Sequence, residues 1–220
     1  IWATKELDAD LGIAHDGDAD RMMAVDDKGR FIPGDKLLVL FARQAEAKKV
    51  VTTIDASMII EEMGYDVIRT PVGDTYVSEE LKKGGDFGGE PSGSWVFPDN
   101  SLCPDGIFAA ARIAAIAGEQ KLSWLVDDIP QYPLLRGSVA GGGLDAFELE
   151  SRMQAMNPIS VSTIDGIKLN FNDGWLLIRA SGTEPKIRIT AEAKDETRLK
   201  QLYDDGVKAI KNCTKEIGEK

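Results

Sequence analysis

The pattern of apolar and polar residues changes its period several times along the chain. Short apolar runs at Leu11–His15 and Arg21–Val25 predict two buried strands, and an Asp-Lys-Gly turn leads on to Phe31 and Ile32. From Gly34 the apolar residues recur at helical spacing, which predicts an amphipathic helix. The region therefore begins as strands and turns and continues as helix.

After this helix, strands and helices alternate. The elements predicted there are a strand at 50–54, a helix at Ser57–Met63, a strand at 66–70, a helix at Val77–Lys83 and a helix at Ile107–Ala117. Such alternation is typical of an α/β sandwich around a mixed, largely parallel sheet.

A second region follows the stretch Pro130–Ser138, whose prolines and the later Gly141–Gly143 run make it the best boundary candidate. The elements predicted beyond it are a helix at Ala146–Met156, strands at Ile167–Phe171, Trp175–Arg179 and Ile187–Ala193, and a closing helix through Leu199, Leu202, Val207 and Ile210. Hairpin-connected strands beside two helices predict an α+β domain with an antiparallel sheet and helices on one face.

Composition and charge narrow the classes of function. The 220 residues are 43% apolar, enough for a sizeable core, and carry a formal net charge of −11. Nucleic acid and anionic membranes would repel so acidic a protein, so we expect neither as a partner. Cys103 and Cys213 fit no disulfide or metal framework, and no leader or membrane span is evident, so we expect a cytoplasmic protein.

The stretch His15–Met23 holds the first candidate site, with Asp16, Asp18 and Asp20 at alternate positions before Arg21. Carboxylates so close need cations nearby, and the backbone must curl to bring alternate strand positions together. A solvated acidic turn is one interpretation; an EF-hand is excluded because its sixth and twelfth positions would be arginine and aspartate. Mg²⁺ fits the carboxylates better, with Arg21 binding an anion there or only balancing its neighbours.

A second candidate site is the predicted hairpin Ile178–Arg188. Alternation places Arg179, Lys186 and Arg188 on the side of the strands away from the core, flanking one loop. That loop contains Ser181, Gly182 and Thr183, whose hydroxyls and amides form a nest for a tetrahedral dianion. A polar hairpin tip is the alternative, but local basicity in so acidic a protein favours a phosphate site.

The third candidate is the stretch Gly88–Ser94, in which glycines surround Glu90 and Ser92. A carboxylate and a hydroxyl that project from a strand end can bind sugar hydroxyls, although a cluster of this composition is usually only a loop.

In this order, the three motifs closely resemble the metal, sugar and phosphate loops of the α-D-phosphohexomutases. The resemblance rests on Asp-Gly-Asp-x-Asp-Arg, Gly-Glu-x-Ser-Gly and Arg-x-Ser-Gly-Thr-Glu-Pro and spans the chain from about Ala9 onward. It implies a remnant of the second mutase domain at 1–33, the third α/β domain at 34–130 and the fourth α+β domain at 131–220. The first two domains would then be largely missing, and Ile1 as first residue agrees with a partial chain.

The resemblance also implies residue roles. Asp16, Asp18 and Asp20 would coordinate Mg²⁺, and Arg21 would contact the transferring phosphate. Sugar hydroxyls would be bound by Glu90 and Ser92. The residues that would bind the non-reacting phosphate are Arg179, Ser181, Gly182, Thr183 and Arg188.

The implied reaction interconverts hexose 1-phosphate and 6-phosphate through a phosphoserine and a bisphosphate. The serine loop of the family, of the type Thr-Ala-Ser-His-Asn-Pro, does not occur in this sequence, so we expect the chain alone to be inactive. Many members of the family have a histidine where this chain has Ser94, and the phosphoglucosamine mutases often have an arginine where it has Thr75. These two differences leave the preferred hexose phosphate open. The alternatives are a metal-dependent phosphatase of the haloacid dehalogenase type and a noncatalytic sugar-phosphate-binding module.

Overall fold

A computed structural model describes residues 1–140, 146–180 and 186–213 of the chain. Contacts divide the chain into two units, Ile1–Gln131 and Tyr132–Lys220. No helix in the described ranges is both long and apolar enough to span a bilayer.

The first unit combines a hairpin with an α/β layer structure. Its elements are α1 (Trp2–Glu6), β1 (Gly12–His15), β2 (Met22–Val25), α2 (Gly34–Gln44), β3 (Lys49–Thr53), α3 (Ile59–Glu62), β4 (Asp66–Thr70), α4 (Asp74–Leu81), β5 (Phe87–Gly89), β6 (Trp95–Val96), α5 (Gly106–Glu119) and α6 (Leu122–Asp127). Strands β1 and β2 pair antiparallel, and a second sheet has the order β4-β3-β5-β6.

The second sheet of this unit is mixed, as the sequence predicted. Strand β3 runs parallel to both of its neighbours, whereas β6 returns antiparallel to β5. The buried face of α2 contributes Phe41, whose ring packs 5.3 Å from Trp95 and 6.0 Å from Phe87. Tilted aromatic pairs of this kind add stability beyond the area that they bury, so they fix α2 against β5 and β6.

The second unit is an antiparallel sheet with helices on one face. Its elements are β7 (Leu134–Ala140), α7 (Ala146–Gln154), β8 (Ser160–Ser162), β9 (Ile167–Phe171), β10 (Gly174–Ala180), β11 (Lys186–Ala193) and α8 (Glu196–Cys213). The strand order is β7-β11-β10-β9-β8, and every pairing is antiparallel. Helices α7 and α8 share one apolar core with β9, β10 and β11. Both parts of the predicted fold class are confirmed.

Part of the segment that the sequence suggested as a linker is a strand. Residues 134–140 form β7, which pairs with β11 along its whole length. Sequence reasoning gave weight to the prolines, but Pro133 directly precedes the strand, and β7 lies at the sheet edge, where a proline at the start is tolerated.

Candidate active site

The loop between β1 and β2 brings three carboxylates together. Asp16, Asp18 and Asp20 each offer an oxygen, and these oxygens lie within 4.8 Å of one another. The backbone curls at Ala19, whose φ of 61° lies in the left-handed region that few non-glycine residues adopt. This curl places alternate residues of the sequence around one point.

Arg21 forms the principal charge contacts of this loop. Its Nε donates to Asp16 Oδ2 at 2.6 Å and its backbone N–H to Asp16 Oδ1 at 3.3 Å. Burial acts to raise the pKa of Asp16, but the hydrogen bonds and charge of Arg21 hold this pKa below its ordinary value. Burial raises the pKa of Asp20, and the charges of Asp16 and Asp18 raise it further. The loop therefore holds more negative charge than one arginine can neutralise.

The carboxylates fit a hard cation. Asp20 Oδ1 is buried and lies 3.6 Å from Arg21 Nε, too far for a hydrogen bond, and no donor among the described residues forms a hydrogen bond with it. A buried oxygen without a donor is costly, and a coordinated cation would satisfy it. Carboxylate oxygens at this spacing are the donors that Mg²⁺ accepts, so Asp16, Asp18 and Asp20 are the residues that would hold the ion.

The first residues of α5 pack against the backbone of the aspartate loop. Asp105 caps the helix by accepting a hydrogen bond from the Phe108 N–H at 2.8 Å. A Cβ on Gly106 would lie 2.6 Å from the Ala19 carbonyl oxygen and 2.8 Å from that of Arg21. The loop backbone thus lies directly on the first residue of the helix, where only glycine fits.

The carboxyl end of β5 carries the second group of candidate residues. Glu90 accepts hydrogen bonds from the Gly73 N–H at 2.6 Å and from the Ser92 hydroxyl at 2.9 Å. The backbone closes a tight turn, in which the Glu90 N–H donates to the Ser94 carbonyl at 2.8 Å. Glu90 is partly buried and Ser92 is exposed, so the turn presents a hydroxyl backed by a fixed carboxylate.

The aspartate loop and the Glu90–Ser92 turn are joined through their backbones. Arg21 and Ser94 form an isolated antiparallel bridge, and the Met22 N–H donates to the Gly93 carbonyl at 3.0 Å. The Trp95 indole N–H donates to the Met22 carbonyl at 2.7 Å. The structure therefore brings Arg21 and the Glu90–Ser92 turn, which are far apart in sequence, next to one another.

Two further carboxylates follow β3 and β4, the two strands on one side of β5. Asp55 comes after β3 and Asp74 after β4, and the carboxyl ends of parallel strands meet at one edge of a sheet. Burial raises the pKa of Glu90, and the charges of Asp55 and Asp74 raise it further, against the hydrogen bonds from Ser92 and Gly73. Sequence reasoning did not identify Asp55 or Asp74; their positions directly after strands were the available signal.

In the second unit, β10 and β11 place two arginines side by side. Arg179 lies directly opposite Arg188 in the register of the two strands. Lys186 and Arg188 are exposed and alternate with the buried Ile187 and Ile189, as the sequence pattern predicted. The remaining predicted phosphate-site residues, Ser181, Gly182 and Thr183, lie outside the described residues.

Arg179 has a partner that sequence reasoning missed. Its Nη1 donates to Asp165 Oδ2 at 2.8 Å, whereas its Nε is buried without an acceptor among the residues that the structure describes. Asp165 precedes Gly166 in the turn before β9. An Asp-Gly pair before a strand is a turn signal, but nothing in the sequence indicates which residue such a turn contacts.

Comparisons with known proteins agree with this architecture. The family model for the alpha/beta/alpha domain III of phosphoglucomutase/phosphomannomutase matches residues 33–132, and the model for the C-terminal domain matches residues 134–209. A probable phosphoglucosamine mutase of Methanocella arvoryzae is 48% identical over 224 residues, which cover 96% of this chain and 50% of that protein. A phosphoglucosamine mutase of Methanococcus aeolicus is 43% identical over 92% of this chain and 48% of that protein.

A solved structure shows the same fold. The phosphoglucomutase/phosphomannomutase family protein of Burkholderia thailandensis superimposes with a TM-score of 0.83 at 27% identity, over 97% of this chain and 49% of that one. The chain thus spans about half the length of the relatives that it matches. The two domain models together cover most of the chain, which leaves no support for a fold of the haloacid dehalogenase type. The chain belongs to the phosphoglucomutase/phosphomannomutase family.

Proposed function

We propose that the protein is a phosphohexomutase, an intramolecular phosphotransferase, and that this chain carries its metal, sugar and phosphate sites. The observation that carries the proposal is the backbone bridge between Arg21 and Ser94. It holds the carboxylates that would bind a metal beside the turn that would bind a sugar, as phosphoryl transfer to a sugar hydroxyl requires.

Each group of residues has a separate task in this proposal. Asp16, Asp18 and Asp20 would hold Mg²⁺, which when bound neutralises charge on a transferring phosphoryl group. Arg21 is half exposed and keeps N–H groups beyond its contact with Asp16 for a phosphate oxygen. The hydrogen-bond donors of this chain would position the substrate and would form no covalent bond with it.

Glu90 and Ser92 would orient the sugar ring. The carboxylate is already fixed by Gly73 and Ser92, so it meets an incoming hydroxyl without having to reorganise. In the second unit, Arg179 and Arg188 would bind a substrate phosphate by charge-assisted hydrogen bonds. The phosphoserine would come from residues outside this chain, because no serine here lies in a matching loop.

We further propose that the substrate is an aminohexose phosphate. Two relatives that are 48% and 43% identical carry the name phosphoglucosamine mutase. The negative charges of Asp55 and Asp74, which raise the pKa of Glu90, support the same class, because negative charge around the proposed sugar turn favours an ammonium group over a hydroxyl.

Calorimetry of this chain with glucosamine 6-phosphate and glucose 6-phosphate, each with Mg²⁺, tests the proposal. We expect glucosamine 6-phosphate to bind more tightly, and Arg179→Ala to weaken both by about tenfold or more, since a charge-assisted hydrogen bond contributes roughly 1.5–3 kcal/mol. Arg198→Ala is the control, because Arg198 lies on α8 and pairs with Asp173. Equal affinity for both sugars would contradict the substrate class, and equal effects of both arginine variants would contradict the phosphate site.

A further inference from the structure

The contact between Asp165 and Arg179 lies at the predicted phosphate site but has no role in the function proposed above. The two side chains are only 27% and 21% exposed, and the Nη1 to Oδ2 distance is 2.8 Å. A charge-assisted hydrogen bond that is largely withdrawn from water restricts the rotamers of a long arginine side chain. The contact therefore fixes where the guanidinium of Arg179 points.

The backbone of the turn holds Asp165 at this place. Gly166 has a φ of 81°, which disfavours any residue with a side chain. A Cβ there would lie 2.4 Å from the Ile178 carbonyl oxygen and 2.7 Å from Arg179 Cβ. The turn thus lies against the backbone of Arg179 itself. Main-chain packing therefore sets the position of the Asp165 carboxylate.

The contact leaves donors of Arg179 available. A guanidinium has five N–H groups, and the hydrogen bond to Asp165 uses one on Nη1. The Nε–H is buried and meets no acceptor among the described residues. Arg188 lies directly opposite on β11, so a second cation faces the same place. An anion would satisfy the donor for which the described residues provide no acceptor.

We propose that Asp165 is a positioning residue that orients Arg179 for binding the substrate phosphate. The inference rests on the function proposed above, in which Arg179 binds that phosphate. A simple counter-ion would act in the opposite direction, because removing its negative charge would make the site more positive and tighten phosphate binding. Removal of a positioning residue weakens phosphate binding, because the ligand must then order the freed arginine side chain.

Calorimetry with glucosamine 6-phosphate on variants of this chain separates the two roles. We expect Asp165→Ala to weaken binding by about fivefold, and Asp165→Asn by less because its amide oxygen still accepts the hydrogen bond. In the Arg179→Ala background, Asp165→Ala should have no further effect on phosphate binding, since a positioning residue acts on the phosphate through Arg179. Asp173→Ala is the matched control, because it removes the 3.0 Å ion pair with Arg198 in the same unit.

The outcomes distinguish failure of the inference from failure of the proposed function. Unchanged affinity in Arg179→Ala would contradict the phosphate site itself. Weakened affinity in Arg179→Ala, with Asp165→Ala equal to or tighter than the parent chain, would overturn the positioning role and leave the phosphate site intact. Equal losses in Asp165→Ala and Asp173→Ala would also overturn it, because the effect would then belong to any ion pair of the unit. Should Asp165→Ala fail to fold, Asp165→Asn, alone and with Arg179→Ala, provides the same comparison.

Discussion

At the scale of single residues, ionisation of Glu90 lowers the free energy of unfolding. Burial, Asp55 and Asp74 raise its pKa above the ordinary value of 4.5, so folding favours the protonated form. Below pH 4.5, where Glu90 is protonated, its contribution to the free energy of unfolding is fully present. This contribution is lost as the pH rises through the higher pKa of the folded state. We therefore expect Glu90→Gln to be more stable than the parent chain at pH 7, with the difference disappearing near pH 4.

Urea unfolding of the two chains at both pH values measures this difference. Glu119→Gln, at the exposed end of α5, controls for the removal of one surface charge. A Glu90→Gln variant that is less stable than the parent at pH 7 would show that hydrogen bonds, rather than burial, dominate at this position. The loss of stability expected from ionised Glu90 is common at functional sites, so it agrees with the role proposed for Glu90.

At this scale the sequence suggests candidate residues where the relevant groups are close neighbours along the chain. The aspartates, Arg21, Glu90 and Ser92 occur in short motifs, and the alternation around Ile187 and Ile189 correctly placed Arg188 away from the core. Asp165 and Asp74 could not be assigned, because their importance depends on which strand ends and turns meet in three dimensions. No local pattern in the sequence encodes that meeting.

At the scale of elements, α5 sets the position of the aspartate loop. Replacing Gly106 with alanine would place a Cβ within 2.6–2.9 Å of backbone atoms of Ala19 and Arg21, so the loop has to move. We expect Gly106→Ala to weaken Mg²⁺ binding by roughly tenfold or more, because the ligand oxygens lose their arrangement.

Gly118→Ala on the same helix is the control, because nothing lies within 4 Å of a Cβ at that position. It should leave Mg²⁺ binding unchanged and stabilise the helix by about 0.5–1 kcal/mol. Titration of each variant with Mg²⁺ by calorimetry measures the effect. Mg²⁺ affinity in Gly106→Ala equal to that of the parent would show that the loop does not depend on its contact with the helix.

Most long elements were predictable from the sequence, and several short ones were not. Strands β4 and β9 coincide with the predicted ranges, and α5 extends the predicted Ile107–Ala117 by one residue at its start and two at its end. The apolar period also predicted helices at the positions of α2 and α8, but α2 ends at Gln44, before the lysines that were expected at its end. Strands β5 and β6 contain three and two residues, too few for a period to be visible, and they exist because Phe87 and Trp95 pack around Phe41. Strand β7 was obscured by the prolines before it.

At the scale of the whole molecule, we expect this chain alone to have no mutase activity. Phosphoryl transfer in the proposed reaction needs a phosphoserine, and the sequence has no loop of the Thr-Ala-Ser-His-Asn-Pro type. Incubation with glucosamine 1-phosphate, Mg²⁺ and a trace of the 1,6-bisphosphate should give no 6-phosphate above background.

The matching experiment adds the separately produced N-terminal half of the Methanocella arvoryzae relative, of which this chain covers 50%. Turnover that appears only in the mixture would support the proposed division of the site. Conversion by the purified chain alone would contradict it, because a nucleophile would then have to lie among the residues present. Binding without turnover in any mixture would favour a noncatalytic sugar-phosphate-binding module.

The bridge between Arg21 and Ser94 has a consequence for protein engineering. A common route to new sugar specificity is to transplant the recognition loop of a relative into a host enzyme. Here the residues that follow Ser92 share backbone hydrogen bonds with the aspartate loop, through Gly93 and Met22. A graft limited to the proposed sugar turn would therefore also alter the path of β2, which follows the aspartate loop. The smallest transferable piece is therefore the pair of loops together, and chimeras should exchange both or neither.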